Sequence, residues 1–177
     1  MTRMENVLSD GVIGLRALEP SDLDWLYRHE NDASLWSVGV TIAPYSRKQL
    51  WDYIENYDGD IYSARQLRMM VSECETGEVI GALDLFDFDP VNRRCSIGLL
   101  IDVSRSSHGY GRRTMKIVEN YARACLGLHQ LWCIIPQDNA ACRRLFDTLG
   151  YKISGCLKSW LRRGESYADA YVYQLIL

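Results

Sequence analysis

The sequence predicts a single-domain α/β (α+β) fold, a mixed and mainly antiparallel sheet flanked by helices. Three observations predict it. Strand-like and helix-like apolar patterns succeed one another over 177 residues with no internal repeat, low-complexity tract or linker. Three strand patterns in mid-chain are joined by tight turn signals, Glu75-Thr76-Gly77-Glu78 and Asp89-Pro90-Val91-Asn92. The last of these strands runs into a glycine-bearing loop that opens a helix, Ser104-Arg105-Ser106-Ser107-His108-Gly109-Tyr110-Gly111-Arg112-Arg113. A chain of this length forms one domain, 1–177, with a substantial core.

In order, residues 1–11 are expected to be a loose arm, and Val12 to Leu18 a first strand. Glu19-Pro20-Ser21-Asp22 starts a helix that runs to about Asn31, with proline in the first turn and acids at the positive dipole end. Asp32 to Tyr45, with Trp36, Gly39 and Pro44, reads as irregular. Ser46 caps a second helix to about Tyr57, and Asp58-Gly59-Asp60 breaks it. Strands follow at Leu67–Glu73, Val79–Phe88 and Cys95–Val103. The helix over 110–126 places Met115, Val118, Ala122 and Cys125 on one face, and Gly127 stops it. Leu131 to Ile135 is a short buried strand. Asp138 is the expected N-cap of a helix from Asn139 to Leu149, with Gly150 just past its end. Lys152–Leu161 and Ala168–Leu175 close the chain as a hairpin.

Composition narrows the function class. Apolar residues make up 47% and charged residues 24%, which fits a soluble globular protein. Six cysteines form no C-x-x-C pair and mostly sit in apolar patterns, so buried reduced thiols are expected, with no disulfide and no metal. The start shows no signal-like segment, and no apolar run approaches ~18 residues, so a cytoplasmic protein without a membrane span is expected. Residues 1–90 carry 7 Lys/Arg and 17 Asp/Glu, a balance of −10, and residues 91–177 carry 13 and 6, a balance of +7. Much of this is solvated surface charge. The glycine loop nevertheless lies in the basic half, as a polyanion would require, and the acidic half suits a cationic second ligand. No nucleic-acid partner is expected, because the basic residues are not interleaved with aromatics on one element.

A loop between strand and helix N-terminus gathers free backbone N–H groups and the positive end of the helix dipole, which suits a phosphate. Gly109 and Gly111 let the backbone turn tightly and approach a ligand. An ordinary strand-to-helix turn reads the same way locally. Two other phosphate loops are excluded. No G-x-x-x-x-G-K-[ST] run follows a strand, and Thr114 stands where a dinucleotide fingerprint needs its third glycine.

A second stretch adds what the loop lacks, Asn139-Ala140-Ala141-Cys142-Arg143-Arg144-Leu145-Phe146-Asp147-Thr148-Leu149-Gly150-Tyr151. Together the two resemble the signatures of the GNAT superfamily of N-acetyltransferases, Q/R-x-x-G-x-G/A and N-x-x-A/S-x-x-x-Y/F-x-x-x-G-F/Y. The resemblance extends from about Gly14 to Leu177. It is nearest the branch of ribosomal-protein N-terminal and spermidine acetyltransferases, whose opening Leu15-Arg16-Ala17-Leu18 and Pro20-Ser21-Asp22-Leu23 resemble. Ser106, Ser107, Cys142 and Phe146 depart from the usual residues.

The resemblance implies a GNAT fold, acetyl-coenzyme A as co-substrate and a primary amine as acceptor. It implies that the backbone of Leu99 to Val103, including Leu100, Ile101 and Val103, holds the pantetheine arm and offers an N–H to the thioester oxygen. Ser106, Ser107, His108, Gly109, Tyr110, Gly111 and Arg112 would hold the pyrophosphate. Asn139 would bind the arm, and Arg143 or Arg144 would meet the adenine-side phosphate. Phe146 stands where the family's tyrosine protonates the departing thiolate; it has no proton to give, so its ring would only flank the cofactor. A thiol titrating near ~8.5 can leave unaided or take a proton from water.

The general base is not fixed by the sequence. The acceptor amine titrates near ~10.4 and must lose a proton before it attacks. Asp84 and Glu30 are the candidates; Asp84 and Asp87, three apart on one strand, face opposite sides of the sheet. Asp32 and Glu55 lie in the same helical half, and Trp36 and Tyr45 are candidate walls of the acceptor site. The acidic first half points to a cationic small molecule of the polyamine kind or a protein amino terminus. A different reading of Ser106 and Phe146 is a coenzyme-binding protein without strong catalysis, used for sensing or assembly. Tyr167, Tyr171 and Tyr173 of the final hairpin suit a homodimer interface as well as core or wall positions.

Overall fold

The computed structural model describes residues 7–36 and 41–177; the start of the expected arm and the part of the irregular stretch holding Gly39 lie outside the described residues. Seven strands form one sheet: β1 (Ile13–Arg16), β2 (Leu67–Glu73), β3 (Val79–Asp89), β4 (Arg94–Ile101), β5 (Gln130–Pro136), β6 (Lys152–Arg163) and β7 (Ser166–Ile176), in the order β1-β2-β3-β4-β5-β7-β6. The β4–β5 pair is parallel and every other pair antiparallel. The helices are α1 (Leu23–Glu30), α2 (Ala33–Trp36), α3 (Arg47–Glu55), α4 (Ile61–Ala64), α5 (Tyr110–Ala124) and α6 (Ala140–Thr148).

The longer helices α1, α3, α5 and α6 pack their buried side chains against the sheet. On one face Met115, Val118 and Ala122 of α5 and Phe146 of α6 pack with Leu83, Ile97, Leu131 and Tyr173. On the other, Trp25 and Leu26 of α1 and Leu50 and Ile54 of α3 cover Met70 and Ala82. This two-sided burial is why the middle strands read as near-continuous apolar runs.

Several expectations are corrected. Residues 8–10 are not loose: Leu15 N–H donates to Leu8 O at 2.7 Å, and Asp10 pairs with Arg113 at 2.6 Å. The short helices α2 and α4 are too brief to leave a periodic pattern. Cys125 follows α5 as its C-cap and is exposed, as are Cys74 and Cys156; Cys95 and Cys133 are buried, and all six thiols are free. Asn139, not Asp138, caps α6.

One departure from regular pairing organises the functional half of the molecule. β4 pairs with β5 only over Arg94–Ser96 and Gln130–Trp132. Beyond that the strands part, β4 staying on β3 to Ile101 and β5 staying on β7 to Pro136. A wedge opens between them, and the N-termini of α5 and α6 both lie near its wide end, where β4 and β5 finish.

Candidate active site

The first part of the site is the α5 N-terminus. Val103–Arg105 makes a single tight turn, Ser107 and Gly109 take left-handed φ of 66° and 80°, and Gly109 is the N-cap. No side chain caps the helix, and its first backbone bond is Arg113 N–H to Gly109 O at 3.1 Å. The N–H groups of Tyr110, Gly111 and Arg112 are thus free of helix partners at the positive dipole end, an anion site built from backbone. A Cβ at Gly109 would meet nothing within 4 Å, so glycine is needed there for its φ and not for space. Gly111 is the reverse: its Cβ would stand 3.3 Å from Leu145 Cδ2, in the seam between α5 and α6.

The β2–β3 hairpin anchors this loop. Tyr110 Oη donates to Glu73 Oε1 at 2.6 Å, Arg105 reaches the same oxygen at 3.4 Å, and Arg105 also pairs with Glu78. The Tyr110 hydroxyl holds the Glu73 carboxyl below its usual range. His108 is tied to Ser106 O at 2.8 Å and stacks on Tyr110. Arg112 is exposed and makes no ion pair with a described residue. Val103 is 79% exposed on the loop.

The second part is the wedge. Asp102 N–H donates to Ile80 O at 2.9 Å. Backbone groups alternate between the two edges of a strand, so Leu100 also turns to β3, opposite Ala82. Leu99 and Ile101 turn their N–H and C=O to the wedge, where no strand lies across. The expectation for Leu100 is corrected accordingly: its backbone is engaged in the sheet, and the open positions are its two neighbours.

On the far side of the wedge, Asn139 Oδ1 accepts from Cys142 N–H at 3.1 Å, so its oxygen is committed to the cap. Burial pushes the Cys142 thiol up to about 11. Arg143 is not free for a phosphate: it donates to Gln137 O at 3.2 Å and lies over the Tyr171 ring at 5.0 Å. Arg144 is exposed, with no ion pair to a described residue. Phe146 is 3% exposed, edge-on to Tyr151 and Tyr173. Its ring therefore offers almost no surface to the wedge, contrary to the expected flanking position.

The third part is a cavity of about 220 Å³ on the α1 face of the sheet, lined by Trp25, His29, Glu30, Trp36, Arg68, Asp84 and the Gly98–Leu100 stretch of β4 among others. Both candidate bases meet here. Arg68 donates through Nε and Nη2 to Asp84 Oδ1 and Oδ2, at 2.8 and 3.0 Å, and through Nη1 to Glu30 Oε1 at 2.8 Å. Burial works against the Arg68 charge, but Asp84 and Glu30 outweigh it and raise its pKa. Tyr53 lies beneath the guanidinium, its hydroxyl pushed up to about 12 by burial. Trp36 Nε1 donates to Glu30 O at 2.9 Å. Tyr45, Asp32 and Glu55 do not line the cavity.

Sequence reasoning missed Arg68, Trp25, His29 and Asp102. His29 Nε2 stands 2.5 Å from Asp102 Oδ1, its Nδ1 is 2.8 Å from Trp25 O, and its ring stacks on Trp25. The His29 ring thus spans from the Trp25 carbonyl to the Asp102 carboxylate. The available signals were a lone arginine amid the apolar run Leu67–Val71, and a Trp25/His29 pair one helical turn apart.

Residues 13–152 match the model of the acetyltransferase (GNAT) domain, and the wedge, the uncapped α5 and the α6 cap all fall within that match. The chain belongs to the GNAT acetyltransferase family. It is an N-acetyltransferase that uses acetyl-coenzyme A. Among proteins of known sequence it is similar to the spermidine N(1)-acetyltransferase of Escherichia coli strain K12, 27% identical over 143 residues covering 81% of this chain and 74% of that one. It is similar to the uncharacterized N-acetyltransferase YoaA of Bacillus subtilis strain 168, 24% identical over 131 residues covering 74% of each. Among solved structures, the spermidine N-acetyltransferase of Vibrio cholerae in complex with CoA and spermine superposes with a TM-score of 0.82 at 20% identity, covering 94% of this chain and 96% of that one. A GNAT sheet of this form thus recurs at low identity. Among the described residues no helix is long and apolar enough to cross a membrane, and no cluster of His, Cys, Asp and Glu could hold a metal.

Proposed function

We propose that this GNAT chain acetylates the primary amine of a small cationic acceptor of the polyamine class, bound in the Glu30–Arg68–Asp84 cavity. The observation that carries the proposal is that this cavity and the wedge share one strand. β4 turns the backbone of Leu99 and Ile101 to the wedge on one edge and presents Gly98–Leu100 to the cavity on one face. An acyl group held along the wedge edge is therefore adjacent to an amine held in the cavity. The similarity to spermidine acetyltransferases and the acidic balance of residues 1–90 support the acceptor class.

The residues fit acetyl-coenzyme A. The free N–H groups of Tyr110, Gly111 and Arg112 suit its pyrophosphate, with Ser106, Ser107 and His108 shaping the loop. The open backbone groups of Leu99 and Ile101 suit the amide-bearing arm, and the Asn139 amide nitrogen suits a carbonyl on it. Acetyl-coenzyme A supplies an acetyl thioester, and the chain supplies the rest. Glu30 takes the proton that the acceptor ammonium must lose, since only one of its oxygens is held by Arg68. Asp84, with both oxygens on Arg68, acts as a positioning residue. The amine nitrogen bonds to the acetyl carbon as the carbon–sulfur bond breaks. A backbone N–H on the wedge edge of β4 donates to the oxygen as it gathers charge, and the thiolate leaves unaided or takes a proton from water.

Steady-state rates of thiol release with acetyl-coenzyme A and spermidine test this. Glu30→Gln is expected to lower kcat by ~10²- to 10⁴-fold, the usual contribution of general base catalysis. A folded Glu30→Gln with wild-type kcat refutes the role of Glu30.

A further inference from the structure

Building on that reading, we infer that Arg68 sets the charge class of the acceptor: it confines the cavity to one ammonium group and leaves any second positive charge of the acceptor to be met outside. Two carboxylates line the cavity, and a chain with an acidic first half would seem to offer both to a polycation. The ion-pair geometry says otherwise. Asp84 has both oxygens occupied by the Arg68 fork, and Glu30 has one. The remaining Glu30 oxygen accepts no hydrogen bond from a described residue.

Arg68, Asp84 and Glu30 are all mostly buried, with side chains 19%, 23% and 24% exposed, so water screens their charges only in part. The three together carry a net charge of −1, enough for one ammonium. The rest of the lining is His29, whose Nε2 faces Asp102, and Thr41, with Trp25, Trp36, Leu35, Ala82 and the β4 backbone, whose apolar part suits methylene groups next to the reacting nitrogen. A cavity of about 220 Å³ holds the amine end and a few carbons. A guanidinium already stands where a second ammonium would bridge Glu30 and Asp84, and like charge repels it.

The test compares butylamine with its diamine counterpart putrescine, at physiological salt, in the wild type, Arg68→Gln and Arg68→Lys. The wild type is expected to use putrescine with a kcat/KM no more than about threefold above butylamine. Arg68→Gln opens the bridging position and is expected to raise that ratio about tenfold, through KM, the size of one unit charge a few Å away in partly wet surroundings. Arg68→Lys keeps the charge and is expected to hold the ratio within about twofold of wild type. A folded Arg68→Gln with an unchanged ratio overturns the inference. If Arg68→Gln fails to fold, a wild-type preference for putrescine of thirtyfold or more overturns it by itself, and a ratio near one supports it. If the wild type acetylates neither amine and spermidine is not acetylated either, the proposed acceptor class fails. The ratio of the two dissociation constants, measured by calorimetry in the same three proteins, then decides the Arg68 inference separately.

Discussion

Gly109→Ala isolates the backbone contribution of the phosphate loop. Gly109 has a φ of 80°, and a Cβ there would touch nothing, so the substitution adds no clash. What it adds is the left-handed penalty of an L-residue, about 1–2 kcal/mol. In a chain of this size ~1 kcal/mol moves Tm by about 2–4 °C, so the melting point should fall by about 2–8 °C. If the backbone instead relaxes to negative φ, the N–H groups of Tyr110, Gly111 and Arg112 no longer converge. Losing one hydrogen bond to a charged phosphate costs about 1.5–3 kcal/mol, which is about 10- to 150-fold in Kd. Calorimetry of coenzyme A binding and thermal melts read both effects. Gly111→Ala is the comparison: its backbone is helical and its Cβ presses only on the movable end of Leu145, 3.3 Å away, so it should weaken binding less. A folded Gly109→Ala that melts like the wild type and also binds coenzyme A within twofold of it refutes the reasoning about this loop.

Other outcomes follow from single residues. Asn139→Ala removes the α6 cap and should cost about 1 kcal/mol of stability, with a modest rise in KM for acetyl-coenzyme A; unchanged melting in this variant would show that the Cys142 N–H bond contributes nothing. Phe146→Tyr should leave kcat within about threefold and lower Tm, because the ring is enclosed by Tyr151 and Tyr173; a tenfold rise in kcat near neutral pH would show instead that thiolate protonation limits turnover. Burial raises the Glu119 pKa above its unfolded value despite Lys116, so its contribution to stability is present at acid pH and lost as pH rises through the folded pKa. Glu119→Gln should therefore melt higher than wild type at pH 7, with the gap closing toward pH 4, and a gap that does not change with pH would contradict the sign. The kcat/KM for a cationic amine should fall as salt rises while that for a neutral amine stays level, since the acidic half acts on encounter.

What the sequence made legible was local. The α5 stripe, the two hairpin turns and the Asn139–Gly150 helix each repeat within a few residues, and all of these elements are present. The wedge was not legible from pairing rules, because it depends on where β5, arriving after a helix, stops following β4. Asp84 and Glu30 were each visible as acids, but not that one arginine joins them, since Arg68 lies 38 residues from Glu30 and 16 from Asp84. Asp102 and Trp25 are 77 apart, and only the packing of α1 on the end of β4 brings them together. Asp138 and Asn139 are equally good caps by type. The structure gives the cap to Asn139, while Asp138 is drawn away to Arg163 at 3.1 Å. Cys125 continues a helical period one turn too far, because the helix ends before it.

The most direct test is a rate measurement with product identification: thiol release from acetyl-coenzyme A over a panel of monoamines, diamines, spermidine and a basic amino-terminal peptide, with mass spectrometry of each amine. The account predicts acetyl transfer to a primary amine of at least one small cationic acceptor, saturable in both substrates and slowed ~10²- to 10⁴-fold by Glu30→Gln. Coenzyme A bound at the Gly109 loop with no acetyl transfer to any amine would contradict it and leave a coenzyme-binding protein in its place.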